Sequence, residues 1–139
     1  MNVGQLLFES RGRITGQWLL SVENGIPKFE TSIAGIGIFT GSLEVTTTWT
    51  YWAIQRSDGT SYSQGQGVIM TRDGREVATA TGRAEGKMIR SGKLRFVGAI
   101  FYETHSENKL AFLNHLVGVN EYEVDALGNY EQHRLWQWK

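Results

Sequence analysis

From Lys93 to Glu103 the chain alternates: Leu94, Phe96, Gly98, Ile100 and Tyr102 fall on one side, Lys93, Arg95, Val97, Ala99, Phe101 and Glu103 on the other. A period of two over that length describes a strand with one face on a core. The alternation returns at Tyr122 and Val124, set against Glu121, Glu123 and Asp125. Turn signals recur at regular intervals: Asn24-Gly25, Asp58-Gly59, Asp73-Gly74, Ser91-Gly92 and Leu127-Gly128-Asn129. They leave strand-like runs at 5–10, 12–22 (the first two either separate or one long strand bent near Gly12), 27–38, 42–56, 61–71, 76–88, 93–104, 118–126 and 130–138. Hairpins this short make sequence neighbours spatial neighbours, which gives an antiparallel meander. Closing it removes two long free edges. The expected fold is therefore all-β: a single closed up-and-down antiparallel barrel of about eight strands over residues 1–139, with one short helical turn. A β-sandwich uses the same strands with different connections.

The ends that meet carry Ile14, Gly16, Trp18 and Leu20 on one side and Arg134, Trp136 and Trp138 on the other, so closure is expected to bury aromatics there. Glycines interrupt the strands at Gly35, Gly37, Gly65, Gly67, Gly82 and Gly86, and Ala78, Ala80, Gly82, Ala84 and Gly86 form a face of small residues only. Small inward side chains leave volume, filled by large residues from elsewhere in the barrel or by a ligand. Leucines at 110, 113 and 116 predict a turn of helix within 107–116 that plugs or caps one barrel end; an irregular connector with its leucines tucked under the rim is the alternative.

Composition narrows the classes of function. The 17 Gly, single Pro, 5 Trp, 5 Tyr and 6 Phe suit many turns and a bulky interior. With 14 basic and 14 acidic residues scattered along the chain, no basic stripe for nucleic acid is visible. No cysteine is present, which excludes thiol catalysis and fits a reducing, cytoplasmic setting. Neither a signal peptide nor a membrane span is expected.

No Walker loop, dinucleotide fingerprint or His-Glu-x-x-His is present, so no catalytic residue is assigned and no cofactor is implied. His105, His115 and His133 are too scattered to suggest a metal site. Polar residues at inward positions say more. Asn120 and Tyr122 share a face with Val124, and Tyr102 shares one with Phe96 and Ile100. Gln64 and Gln66 share one with Val68 and Met70. An apolar pocket with a few directed polar groups is the usual form of a small-molecule site. The expected lining is Trp18, Trp52, Gln66, Met70, Phe96, Ile100, Tyr102, Asn120 and Tyr122. In Thr46 to Ile54 either parity is open: Trp52 and Ile54 inside, or Trp49, Tyr51 and Ala53 inside. An outward Trp49/Tyr51 pair beside Val97, Ala99 and Phe101 would form an apolar patch suited to a homo-oligomer.

Ile14-Thr15-Gly16-Gln17-Trp18, with Arg134 near the other end, resembles the calycin signature of lipocalins, fatty-acid-binding proteins and avidins. That resemblance implies a barrel whose Trp packs against a basic side chain of the last strand. Across nearly its whole length the chain also resembles a family of small prokaryotic, largely archaeal proteins without a known activity. The matching stretches are LLFESRGRITG, TYW, SDGTSYSQGQGVIMTRDG, KLAFLNHLVGV and EYEVDALGN before the terminal WQWK. Size and strand pattern are similar to the allene oxide cyclase barrel, which implies an apolar cavity, a trimer and, in the plant enzymes, cyclisation of a lipid epoxide. Three functions follow as expectations: binding of a small apolar or amphipathic molecule, a cyclase or isomerase using the same cavity, and a filled barrel acting as an assembly module.

Overall fold

The computed structural model describes residues 3–125 and 129–139. Eight strands follow one another: β1 (Val3–Glu23), β2 (Ile26–Phe39), β3 (Leu43–Gln55), β4 (Thr60–Thr71), β5 (Val77–Met88), β6 (Leu94–Thr104), β7 (Val117–Val124) and β8 (Tyr130–Trp138). Each pairs antiparallel with the next, and β8 closes on β1, giving a closed barrel. The two runs expected around Gly12 are one continuous strand. Asn24 and Gly25, with φ of 52° and 76°, make the first tight hairpin, where a left-handed backbone is needed. The expected turn at Leu127-Gly128 lies outside the described residues.

β1 outruns its partner. It pairs with β8 only from Val3 to Gly12, whereas its pairing with β2 continues to Glu23. Beyond Gly12 β1 keeps β2 as its partner and has none on its other side among the described residues, while β2 stays paired with β3 as far as Lys28; Trp18 sits on this free half of β1, 55% exposed. Arg134 pairs with Glu9, well back along β1, and hydrogen-bonds Gln132. The Trp18–Arg134 packing that the calycin resemblance implies is therefore not formed. Nor do Trp136 and Trp138 go inside. The meeting of β1 and β8 buries Phe8, Ser10, His133 and Leu135 instead.

The barrel interior is packed by a simple device: a large side chain on one strand lies over a glycine on the next. A Cβ on Gly67 would stand 2.5 Å from the Trp49 ring, one on Gly65 2.6 Å from Tyr51 Cβ, and one on Gly86 2.6 Å from the Phe96 ring. Tyr130 covers Gly12 in the same way. This decides the parity of β3: Val45, Thr47, Trp49 and Tyr51 face in, and Trp52 faces out. On β4 the inward set is Ser61, Ser63, Gly65, Gly67, Ile69 and Thr71, so Gln64, Gln66, Val68 and Met70 face out. The aromatic face of β3 needs the glycine face of β4, because the interior has room for only one bulky layer at each register.

One barrel end is plugged. The connector between β6 and β7 makes a 3-10 turn at Ala111–Leu113 and sends Leu110 and Leu113, both fully buried, against Phe8, Phe39, Val45, Ile69, Ile100, Tyr102 and Leu135. Backbone bonds anchor it to the end of β6: Tyr102 N–H donates to Leu116 O at 2.9 Å and His115 N–H to Tyr102 O at 3.1 Å. Among the described residues no helix is long and apolar enough to cross a membrane.

Candidate functional site

Above the plug the interior changes character. Four inward strands contribute polar and aromatic groups at one level: Ser10 from β1, Tyr51 from β3, Asn120 and Tyr122 from β7, Tyr130 and His133 from β8. A cavity of about 70 Å³ lies among Ile33, Trp49, Tyr51, Ile100, Asn120, Tyr122, Tyr130 and His133. Gly65 and Gly82, which are cross-strand partners, form part of its wall. At Gly82 no neighbouring ring fills the vacated position; the nearest atoms to a Cβ there would be Ala99 O at 3.1 Å and Ile100 Cγ1 at 3.3 Å.

The residues expected to line a pocket divide cleanly. Phe96, Ile100, Tyr102, Asn120 and Tyr122 point into the barrel. Of these, Ile100, Asn120 and Tyr122 border the cavity; Tyr102 belongs to the cluster beneath it, and Phe96 stacks on Tyr122 with centroids 5.0 Å apart and planes 11° off parallel. Trp18, Trp52, Gln66 and Met70 are outside. Trp18 is on the free half of β1, and Trp52 is packed outside against Tyr62 (5.3 Å between centroids) with Lys28 Nζ 4.2 Å from its ring centre. Gln66 and Met70 are placed outward by the glycine face of their own strand. None of these four reaches the interior.

His133 is the centre that sequence patterning did not single out. A register shift in the pairing of β7 with β8, between Tyr122 and Val124, lets both Tyr130 and His133 point inward despite their odd spacing. Its ring is surrounded by Tyr122 at 5.9 Å and by Phe8 and Tyr130, both at 6.1 Å. Nδ1 lies 3.3 Å from Ser10 Oγ and Nε2 lies 3.1 Å from Asn120 Nδ2. Burial without a nearby carboxylate pushes the imidazole down to about 4, so it is neutral at physiological pH. The alternation of Arg134, Trp136 and Trp138 carried the signal: reading those three as outward puts His133 and Leu135 inward.

The tyrosines are likewise held in their neutral forms. Burial raises Tyr51 to about 12, against the opposing effect of the Thr31 hydroxyl. Tyr122 and Tyr130 are also raised by burial, with Ser63 partly offsetting it for the first and Thr47 and Ser10 for the second. The Tyr122 hydroxyl is 3.3 Å from Ser63 Oγ. Among the described residues two buried side-chain polar atoms lack a hydrogen bond of good geometry, Asn120 Oδ1 and Thr47 Oγ1; of these two residues Asn120 borders the cavity. Among the described residues no group of three His, Cys, Asp or Glu side chains is placed to hold a metal ion. What remains is a neutral, aromatic-walled cavity with an unpaired amide oxygen on one of its lining residues.

No family model matches the chain, and no curated protein matches it. Solved structures do. One is a protein with unknown function from Clostridium acetobutylicum ATCC 824, 14% identical, with a TM-score of 0.78 and all of each chain covered. Another is the conserved protein of unknown function RPA1785 from Rhodopseudomonas palustris, 13% identical, with a TM-score of 0.71, covering 97% of this chain and 98% of that one. At such identities the likeness establishes the fold alone.

Proposed function

We propose that the protein binds a small molecule inside the barrel, with Trp49, Tyr51, Ile100 and Tyr122 enclosing its body and Asn120 receiving its polar end. The observation that carries this reading is the buried, unpartnered Oδ1 of Asn120, a residue that lines the cavity. An acceptor left dry costs about 1–3 kcal/mol, and a fold that keeps one on a cavity-lining residue has a use for it. The volume of about 70 Å³, against roughly 30 Å³ for a water in the liquid, suits an occupant of a few heavy atoms. A lipid-sized substrate of the allene oxide cyclase kind needs the side chains around it to move apart. The test is native mass spectrometry of freshly purified protein, followed by denaturation of the same sample. A small excess mass that vanishes on denaturation is expected in the wild type and absent from Asn120→Leu. An adduct retained unchanged by the variant removes Asn120 from the site.

A second reading, self-association, is favoured by the free half of β1 beyond Gly12. Leu19, Leu20 and Val22 are 57%, 49% and 60% exposed there, and β1 has no second strand partner along it among the described residues. A second copy pairing along that edge would cover them. The same spectrum counts subunits; a strict monomer at micromolar concentration contradicts this reading.

A further inference from the structure

We infer that the cavity takes an uncharged ligand whose polar end is a hydrogen-bond donor, a hydroxyl or an N–H, and that His133 positions the Asn120 amide that reads it. This rests on the small-molecule reading above and narrows it to a ligand class. Two features of the site lead there.

The first is the absence of countercharge. The buried polar residues described are serines, threonines, Asn120 and His133, with no carboxylate, lysine or arginine among them. Arg83 touches the cavity wall, but its side chain is on the exposed face of β5. A buried ion without a partner is strongly disfavoured, so the interior selects against charged ligands of either sign. The second feature is the sense of the amide. Asn120 turns Nδ2 towards His133 Nε2, so Nε2 accepts, the ring proton is on Nδ1, and Nδ1 donates to Ser10 Oγ. Both imidazole nitrogens are then engaged within the protein, and the amide nitrogen has its acceptor. The atom left over is Oδ1, buried with a residue that is only 4% exposed. An acceptor is completed only by a donor.

Three probes of four heavy atoms test this: isopropanol, acetone and acetate, each titrated into ¹⁵N-labelled protein while the Asn120 side-chain amide and the His133 ring nitrogens are followed by NMR. Isopropanol is expected to shift both saturably, acetone to bind roughly fivefold more weakly for want of a donor, and acetate to produce no saturable shift. The ring nitrogens should report the Nδ1–H tautomer throughout. Acetone binding as tightly as isopropanol overturns the donor assignment, and saturable acetate binding overturns the uncharged class while leaving a binding cavity intact. If none of the three binds, the adduct seen by native mass spectrometry decides. A neutral donor-bearing adduct supports the inference, a charged or donorless one overturns it, and no adduct at all removes the binding reading itself. For the positioning role, His133→Leu should bring the isopropanol-to-acetone preference close to one while binding persists. Ser10→Ala, which frees Nδ1 and the choice of tautomer, gives the same readout if the leucine variant does not fold. A preference unchanged in either variant shows that His133 does not set the sense of the amide.

Discussion

The two halves of the barrel interior are built from the same strands on opposite principles. The plugged half is hydrocarbon: Leu110, Leu113, Leu135 and Val45 are fully buried there, packed round Phe8, Phe39 and Ile69. The other half is a ring of hydroxyls, an imidazole and an amide, with a void and an unpaired acceptor. Strand pairing runs through both, with a register shift of β8 on β7 in the polar half that turns Tyr130 and His133 inward. The larger difference is the side-chain layer. The first half gains stability from apolar burial and close packing; the second gives part of that up, since every polar atom enclosed there needs a partner merely to break even. The difference teaches that the barrel as a scaffold is secured at the plug, which leaves the far half free to be specialised.

The largest expected effect breaks that division of labour. Leu113→Ala removes a fully buried side chain from the plug and should cost about 2–5 kcal/mol, seen as a lowered urea midpoint with little change in slope. Binding of isopropanol by the molecules that remain folded should be unaltered, because Leu113 does not border the cavity. Loss of binding in proportion to stability would mean that the two halves are one unit.

The second effect belongs to the polar half. His133 takes up its proton near pH 4 in the folded protein, whereas an unfolded histidine does so near 6.5. Between those values the unfolded state holds more protons, so acid favours it. The stability due to the neutral ring is complete above about pH 6.5, declines as pH falls through the window, and stops declining below about pH 4. The full loss is on the order of 3 kcal/mol. Carboxylates also titrate at the lower end of this range, so the measurement is a difference: urea unfolding at pH 7 and pH 4.5 for the wild type and for His133→Gln. The wild type should lose more. Equal losses would mean that the ring is open to solvent.

The contrast between the halves also explains what could be read from the sequence. Barrel closure, strand order and the plug by the leucines of 107–116 follow from local alternation, turn residues and the cost of free edges. The inward faces of β5, β6 and β7 followed too, because there Ala/Gly, Leu/Phe/Ile and Asn/Tyr/Val faces oppose charged ones. Parity failed on β3 and β4. TTTWTYWAI has aromatics on both faces, and QGQGVIM alternates glutamine with glycine. Taken one strand at a time, glutamine beside Val68 and Met70 looks like an interior, and glycine looks like a gap. Taken as a pair, Gly65 and Gly67 are the spaces into which Tyr51 and Trp49 fit, and the ambiguity disappears. His133 escaped for a different reason: the register shift of β8 is a property of two strands together and has no signature in either alone. The polar half thus depends on relations between strands, and single-strand periodicity does not carry them.

That dependence suggests the smallest and most selective change. Gly82 is an inward glycine that borders the cavity and that no ring covers. In Gly82→Ala the new methyl would meet Ala99 O at 3.1 Å and Ile100 Cγ1 at 3.3 Å, tight enough to require a shift of a few tenths of an ångström. Reduced freedom of the unfolded chain favours the variant by about 0.4–1 kcal/mol, and the crowding opposes it, so the net change in stability should stay within about 1 kcal/mol. The cavity, however, loses part of its volume. The expected result is a protein with an ordinary unfolding curve and weakened isopropanol binding, the reverse of Leu113→Ala. Unchanged binding in Gly82→Ala would place the occupied space away from the Gly65–Gly82 pair of β4 and β5, nearer to Tyr130 and Ile33.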